Sequence, residues 1–205
     1  ALVQNLGIGM VCVFAGAQNA LFASAQCLLE SSDEVIVIEP YYATYPATFT
    51  ATGAHLVPVP VHPKNNFQPD LVALEQAITP ATRVLVLNSP NNPTGAIYQR
   101  ECLQTLVDLC VEHNIWIISD EVYAELAEPV SYTSVCSLSK ASDIVITVGS
   151  LSKSHRMTGW RCGWTVAPQE LTDHFYNLCL CMSYGLPGFI QDAAERALQD
   201  DIDIT

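Results

Sequence analysis

Short runs of β-branched and apolar residues alternate along the chain with stretches whose apolar positions recur every three or four residues. The runs at Val11 to Phe14, Glu34 to Ile38, His55 to Val59, Val84 to Leu87, Ile115 to Ile118, Ile144 to Val148 and Trp164 to Ala167 are mostly bounded by Gly, Pro, Asn or Asp and predict buried strands. Between them, Leu103, Leu106, Val107, Cys110 and Val111 form a helical stripe, and Leu71, Leu74, Ala77 and Ile78 form another behind Asp70, a predicted N-cap. Strand and helix in alternation predict an α/β fold of three layers, with a mostly parallel sheet of about seven strands covered by helices on both faces. No repeat, linker or shift in composition marks a second domain.

Composition narrows the partners. The chain has 205 residues, half of them hydrophobic, enough to bury one good core. A formal net charge of −13 argues against nucleic acid or an anionic membrane surface, both of which require a basic face. The first 29 residues are uncharged, yet Gln4, Asn5, Gln18, Asn19 and Gln26 interrupt any membrane-spanning run and no basic segment precedes them. Eight cysteines show neither a CxxC pair nor zinc-like spacing to histidine, and most fall in apolar runs. They read as buried free thiols of a reducing, cytoplasmic compartment, with no metal site.

The few cations are unevenly placed. Lys153, Arg156 and Arg161 cluster just after the Ile144 to Val148 run, in the segment SLSKSHRMTGWRCGW that begins at Ser150, where a strand is expected to open into a loop. Two other strands end in polar motifs: one runs into Asn88-Ser89-Pro90-Asn91-Asn92-Pro93-Thr94-Gly95, the other into Ser119-Asp120-Glu121-Val122-Tyr123. The C-terminal ends of parallel strands share one edge, so an amide, a carboxylate, a phenol, a lysine, a serine and an arginine should converge there. Each motif alone has a plain explanation as a turn, a helix start or a solvated basic loop; their order and placement together are specific.

That set suits one cofactor chemistry. A lysine amine forms a Schiff base with an aldehyde, hydroxyls with a guanidinium hold a phosphate, and a buried carboxylate keeps a pyridine nitrogen protonated. Pyridoxal phosphate makes all three demands. Over nearly its whole length, from Gly16-Ala17-Gln18-Asn19-Ala20-Leu21 to Gln191-Asp192-Ala193-Ala194, the sequence resembles the class I/II aminotransferases of the aspartate-aminotransferase-like fold. The resemblance implies that Lys153 is the Schiff-base lysine and proton shuttle, that Asp120 pairs with the pyridinium, and that Asn92 and Tyr123 bond the phenolic oxygen. It further implies that Tyr42 stacks on the ring and that the backbone of Gly16, Ala17 and Gln18, with Ser150 and Arg161, binds the phosphate. Arg156 and His155 receive no role.

The resemblance also implies an α-amino acid and a 2-oxo acid as substrates, and a homodimer whose loop around Tyr184 and Pro187 reaches the partner's site. Glu39-Pro40 with Tyr42, Ser152-Lys153-Ser154-His155, and the run Leu180-Cys181-Met182-Ser183-Tyr184-Gly185 leading to Phe189-Ile190-Gln191-Asp192 resemble the arginine:pyruvate transaminases within that family. Family members are roughly twice as long, beyond the ordinary size of a single domain. Residues 1–205 are accordingly expected to be the cofactor-binding large domain, without the N-terminal arm and the small domain that carries the arginine for the substrate carboxylate. A carbon–sulfur lyase on the same scaffold and a non-catalytic ligand-binding fragment are the alternative expectations.

Overall fold

The computed structural model describes residues 8–128 and 131–199. In chain order the regular elements are β1 (Val11–Phe14), α1 (Ala17–Leu28), β2 (Glu34–Glu39), α2 (Tyr45–Thr50), β3 (His55–Pro60), α3 (Leu71–Ala77), β4 (Thr82–Asn88), α4 (Arg100–His113), β5 (Trp116–Asp120), β6 (Val145–Ser150), α5 (Leu151–Ser154), β7 (Gly163–Val166), α6 (Gln169–Met182) and α7 (Gly188–Gln199). All seven expected strands are present, β1 with the bounds expected and the others shifted at one or both ends by one or two residues.

The sheet has the order β1-β7-β6-β5-β4-β2-β3. Every neighbouring pair is parallel except those of β7, which runs antiparallel to both β1 and β6. Successive side chains in a strand point to opposite faces, and here both faces are dry. Val35 and Val37 join Phe14, Val86, Ile118 and Val148 against α1 and α6, whose Leu21 and Phe175 are buried in the same cluster. Ile36 and Ile38 join Leu85, Leu87 and Ile117 against Leu74 of α3 and Leu103, Leu106 and Val107 of α4. A smaller cluster formed by Leu151, Cys162, Leu186 and Ala194 seats α7 against Val13 and Trp164.

Local expectations were met unevenly. Asp70 caps α3 through bonds from the backbone N–H groups of Val72 and Ala73, both 3.1 Å. Val111 leaves the α4 stripe and is 39% exposed, because the stripe drifts around the helix as it lengthens. Ile78 falls after the last turn of α3 as its C-cap. The expected loop after the sixth strand is a one-turn helix: Ser150 ends β6, and its Oγ accepts from the Ser152 N–H at 3.1 Å to start α5. Of the cysteines, Cys12, Cys110, Cys162 and Cys179 are buried, whereas Cys181 is exposed.

Candidate active site

Strand register assembles the site. Asn88 is the β4 partner of Asp120 on β5, Ser150 on β6 faces Gly163 on β7, and Gly163 faces Phe14 on β1. All of these lie where β1, β4, β5 and β6 end, so the segments that follow meet at one edge. A cleft there is lined by Ala17, Gln18, Tyr42, Asn92, Asp120, Tyr123, Ser150, Lys153 and Arg161, which are the expected site residues apart from Gly16; Gly16 lies against Arg161.

One end of the cleft is built from backbone. Gly16 precedes α1 at φ +87°, a conformation glycine adopts without strain, and no side chain caps the helix. The first N–H groups of α1 are therefore open to an anion, reinforced by the helix dipole. Arg161, itself at φ +53°, donates from Nη1 to Thr158 O at 3.0 Å and from Nη2 to Ala15 O at 3.4 Å, which brings its guanidinium to the same helix end. A Cβ on Gly163 would stand 2.6 Å from the Ala17 nitrogen, so the missing side chain is what allows α1 to start directly on β7.

The side chains of two expected phosphate ligands, Ser150 and Gln18, are engaged within the protein. The Ser150 hydroxyl is within 3.0 Å of both Cys162 O and Ser152 Oγ, so its one proton already serves the protein. Ser152, which also lines the cleft, is a hydroxyl that sequence reading missed although the Ser-x-Ser-Lys pattern contains it. The Gln18 side chain is turned away to α2, donating to Thr48 Oγ1 at 2.7 Å and accepting from Thr44 Oγ1 at 2.8 Å. Only the Gln18 backbone remains for an anion, as the sequence reading expected.

The carboxylate end is buried. Asp120 is 4% exposed; its Oδ2 accepts from the Tyr45 hydroxyl at 2.6 Å and its Oδ1 from the Val122 N–H at 3.3 Å, while Asn88 Nδ2 donates to its backbone carbonyl at 2.9 Å. Burial pushes the Asp120 carboxyl up to about 6, against the opposing pull of the Tyr45 and Val122 bonds. Asn88 Oδ1 also accepts from the Asn92 N–H at 2.7 Å, and Asn92 Nδ2 donates to the Tyr123 hydroxyl at 3.4 Å. The Lys153 amine lies 5.6 Å from the centre of the Tyr123 ring. Tyr42 is not a core residue: it is 39% exposed on the cleft and meets Tyr45 edge to face, with ring centres 6.0 Å apart.

Next to Asp120, Glu121 is also buried, but it faces away into a structural network. Ser119 Oγ donates to Oε1 at 2.8 Å, Tyr132 OH to Oε2 at 2.5 Å, and the Val135 N–H to Oε1 at 3.1 Å. Of the cations without an expected role, Arg83 pairs with Asp33 at 3.5 Å, and Arg156 is exposed in a left-handed turn at φ +54°.

Residues 8–205 match the model of the family "Aminotransferase class I and II". The chain belongs to the class I and II aminotransferases. It is 53% identical over 196 residues to the arginine–pyruvate transaminase of Pseudomonas aeruginosa, an alignment covering 96% of this chain and 50% of that protein. It is 36% identical over 198 residues to the aspartate aminotransferase of Thermotoga maritima, covering 97% and 52%. Among solved structures, a double mutant of Thermus thermophilus aspartate aminotransferase superposes with a TM-score of 0.90 at 36% identity, covering 93% of this chain and 50% of the other. The crystal structure of the Thermotoga maritima enzyme gives 0.91 at 36% identity, covering 94% and 52%. The chain thus spans about half the length of the relatives it matches.

The donor set fits the cofactor expected of this family. An uncapped helix N-terminus beside a guanidinium suits a phosphate, a buried carboxylate suits a protonated ring nitrogen, and an exposed amine shares the cleft with both.

Proposed function

We propose that this chain is the cofactor-binding large domain, over residues 1–205, of a pyridoxal-phosphate-dependent aminotransferase that moves an amino group between an α-amino acid and a 2-oxo acid such as pyruvate. The observation that carries this reading is the shared cleft: buried Asp120 at one side, the Lys153 amine at another, and Arg161 against the α1 N-terminus. When bound, pyridoxal phosphate supplies an aldehyde that accepts the amino group and a ring that takes up negative charge from the substrate Cα.

The residues divide the rest of the work. The α1 N–H groups, Arg161 and the Ser152 hydroxyl, which Ser150 holds in place, bind the phosphate and so fix the ring's position. Asp120 supplies the fixed negative charge that favours a protonated ring nitrogen. Asn92 and Tyr123 bond the ring's phenolic oxygen, and the exposed ring of Tyr42 stacks on it. Lys153, held near Tyr123, is the covalent anchor and afterwards the base that moves the proton at Cα.

The relative that is an arginine–pyruvate transaminase supports arginine as amino donor and pyruvate as acceptor. A second copy of the chain is the proposed partner, supported by the exposed aromatic residues Tyr184, 89% accessible, and Phe189, 70%. No helix among the described residues is long and apolar enough to cross a membrane, and a cytoplasmic location is proposed on the abundance of free thiols.

The test is spectroscopic and chemical. Adding pyridoxal phosphate to the purified chain should give a visible band that borohydride bleaches, with the reduced cofactor attached to the Lys153 peptide. Attachment at Lys140 or Lys64 overturns the assignment. With L-arginine and pyruvate, a longer chain that carries the small domain should form alanine and the oxo acid of arginine far faster than residues 1–205 alone; ammonia release in place of alanine would identify a lyase.

A further inference from the structure

A buried phenol reaches the buried carboxylate of the cleft from the other side. Tyr45 is 2% exposed, and its hydroxyl stands 2.6 Å from Asp120 Oδ2, short for a hydrogen bond between oxygens and in the range of a charge-assisted one. The ring is packed between two aromatic neighbours. It meets Tyr42 edge to face at 6.0 Å and Phe49 at 5.7 Å, and the Tyr45 N–H donates to Tyr42 O at 3.0 Å. The turn that carries it is bolted to α1 by the Gln18 bonds to Thr44 and Thr48. Tyr45 therefore links the helix end of the cleft, the exposed aromatic ring and the carboxylate.

We propose that Tyr45 is the positioning residue of the site: its hydroxyl holds Asp120 ionised and fixed in orientation where that carboxylate lines the cleft. The inference rests on the reading of Asp120 as the partner of a protonated ring nitrogen. The phenol is suited to the task because burial and the adjacent carboxylate push its own ionisation well above the usual tyrosine range, so it stays a donor. A buried carboxylate without such a donor takes up a proton and can no longer favour a positive charge on its neighbour. The other titratable groups around the pair are Glu121, Tyr123 and Tyr98, with Lys153 and Arg161 on the cleft wall. Among the described residues, Tyr45 is the one side chain that bonds directly to the Asp120 carboxylate.

The test compares wild type with Tyr45→Phe, which keeps the packed ring and deletes one oxygen. Carbon NMR of labelled carboxylates in the cofactor-free chain should show Asp120 titrating higher in the variant by about one unit or more, a tenfold gain in proton affinity, at an unchanged melting curve within a few degrees. In wild type alone, the Tyr45 ring signals should shift with the same midpoint as Asp120, a readout independent of how the variant folds. An unshifted Asp120 in Tyr45→Phe, or Tyr45 signals blind to that titration, overturns the proposal. With pyridoxal phosphate added, the variant's visible band should change its pH dependence in the same direction. If Asp120 responds to Tyr45 but neither protein binds pyridoxal phosphate, the link between the two residues stands and the cofactor reading of Asp120 falls.

Discussion

The guanidinium of Arg161 occupies the space a side chain at Gly16 would need: a Cβ built there lies 2.3 Å from Arg161 Nη2. Residues far apart in the chain thus meet at one point, where the helix dipole of α1 and a full positive charge both favour an anion. Both conformations are left-handed, φ +87° at Gly16 and φ +53° at Arg161. Gly16 has no Cβ to pay for this, whereas Arg161 holds its turn through bonds to Thr158 O and Ala15 O.

Gly16→Ala should therefore displace Arg161 and strain the start of α1. Affinity for pyridoxal phosphate is expected to fall by about tenfold or more, the equivalent of losing one charge-assisted contact, while affinity for pyridoxal lacking the phosphate changes little. Fluorescence titration with the two ligands checks the difference, and an equal loss for both would place the damage outside the phosphate site.

Asp120 makes the cofactor-free chain sensitive to pH. Its carboxyl is raised from 3.8 to about 6 by burial, so the folded chain holds a proton that the unfolded chain has already released. That contribution to stability is complete below about pH 4 and is lost as pH rises through about 6, at most about 3 kcal/mol in all. Asp120→Asn, which keeps an acceptor for Tyr45, should flatten this part of the profile in urea unfolding measured from pH 4 to 7. Bound pyridoxal phosphate should also flatten it in wild type, because a protonated ring nitrogen favours the ionised carboxylate.

Glu121 should matter for folding rather than for the cofactor. It accepts hydrogen bonds from Ser119, Tyr132 and the Val135 N–H, tying the 131–135 segment to the end of β5. Glu121→Ala strands these donors in a buried site and is expected to cost roughly 2–4 kcal/mol. The thermal midpoint should drop accordingly, while the visible band of any bound cofactor keeps its wavelength.

Asn92 and Tyr123 form the other pair to test. The 3.4 Å bond from Asn92 Nδ2 to the Tyr123 hydroxyl is long, and both groups line the cleft. Tyr123→Phe should leave stability within about 0.5 kcal/mol of wild type and raise the pH at which the cofactor's visible band changes form. An unchanged spectral titration would remove Tyr123 from the set that bonds the phenolic oxygen.

The sequence by itself determined the seven strands to within two residues, the apolar stripes of α3 and α4, and the three polar motifs at strand ends. These features are local: apolar runs, three-and-four spacing and turn residues follow from backbone geometry over a few residues. It also supplied most of the residues that meet in the cleft, because parallel strands place their C-terminal ends on one edge. Only the tertiary structure decided the strand order, with β7 antiparallel between β1 and β6, and with it the meeting of Arg161 and Gly16. It alone turned the Gln18 side chain toward α2, committed the Ser150 hydroxyl to Cys162 and Ser152, and joined Tyr45 to Asp120 across 75 positions of sequence. A tyrosine in a short helix has the same local pattern whether it packs in a core or holds a carboxylate. The difference lies in what the fold sets 2.6 Å from its hydroxyl, which no window along the chain contains.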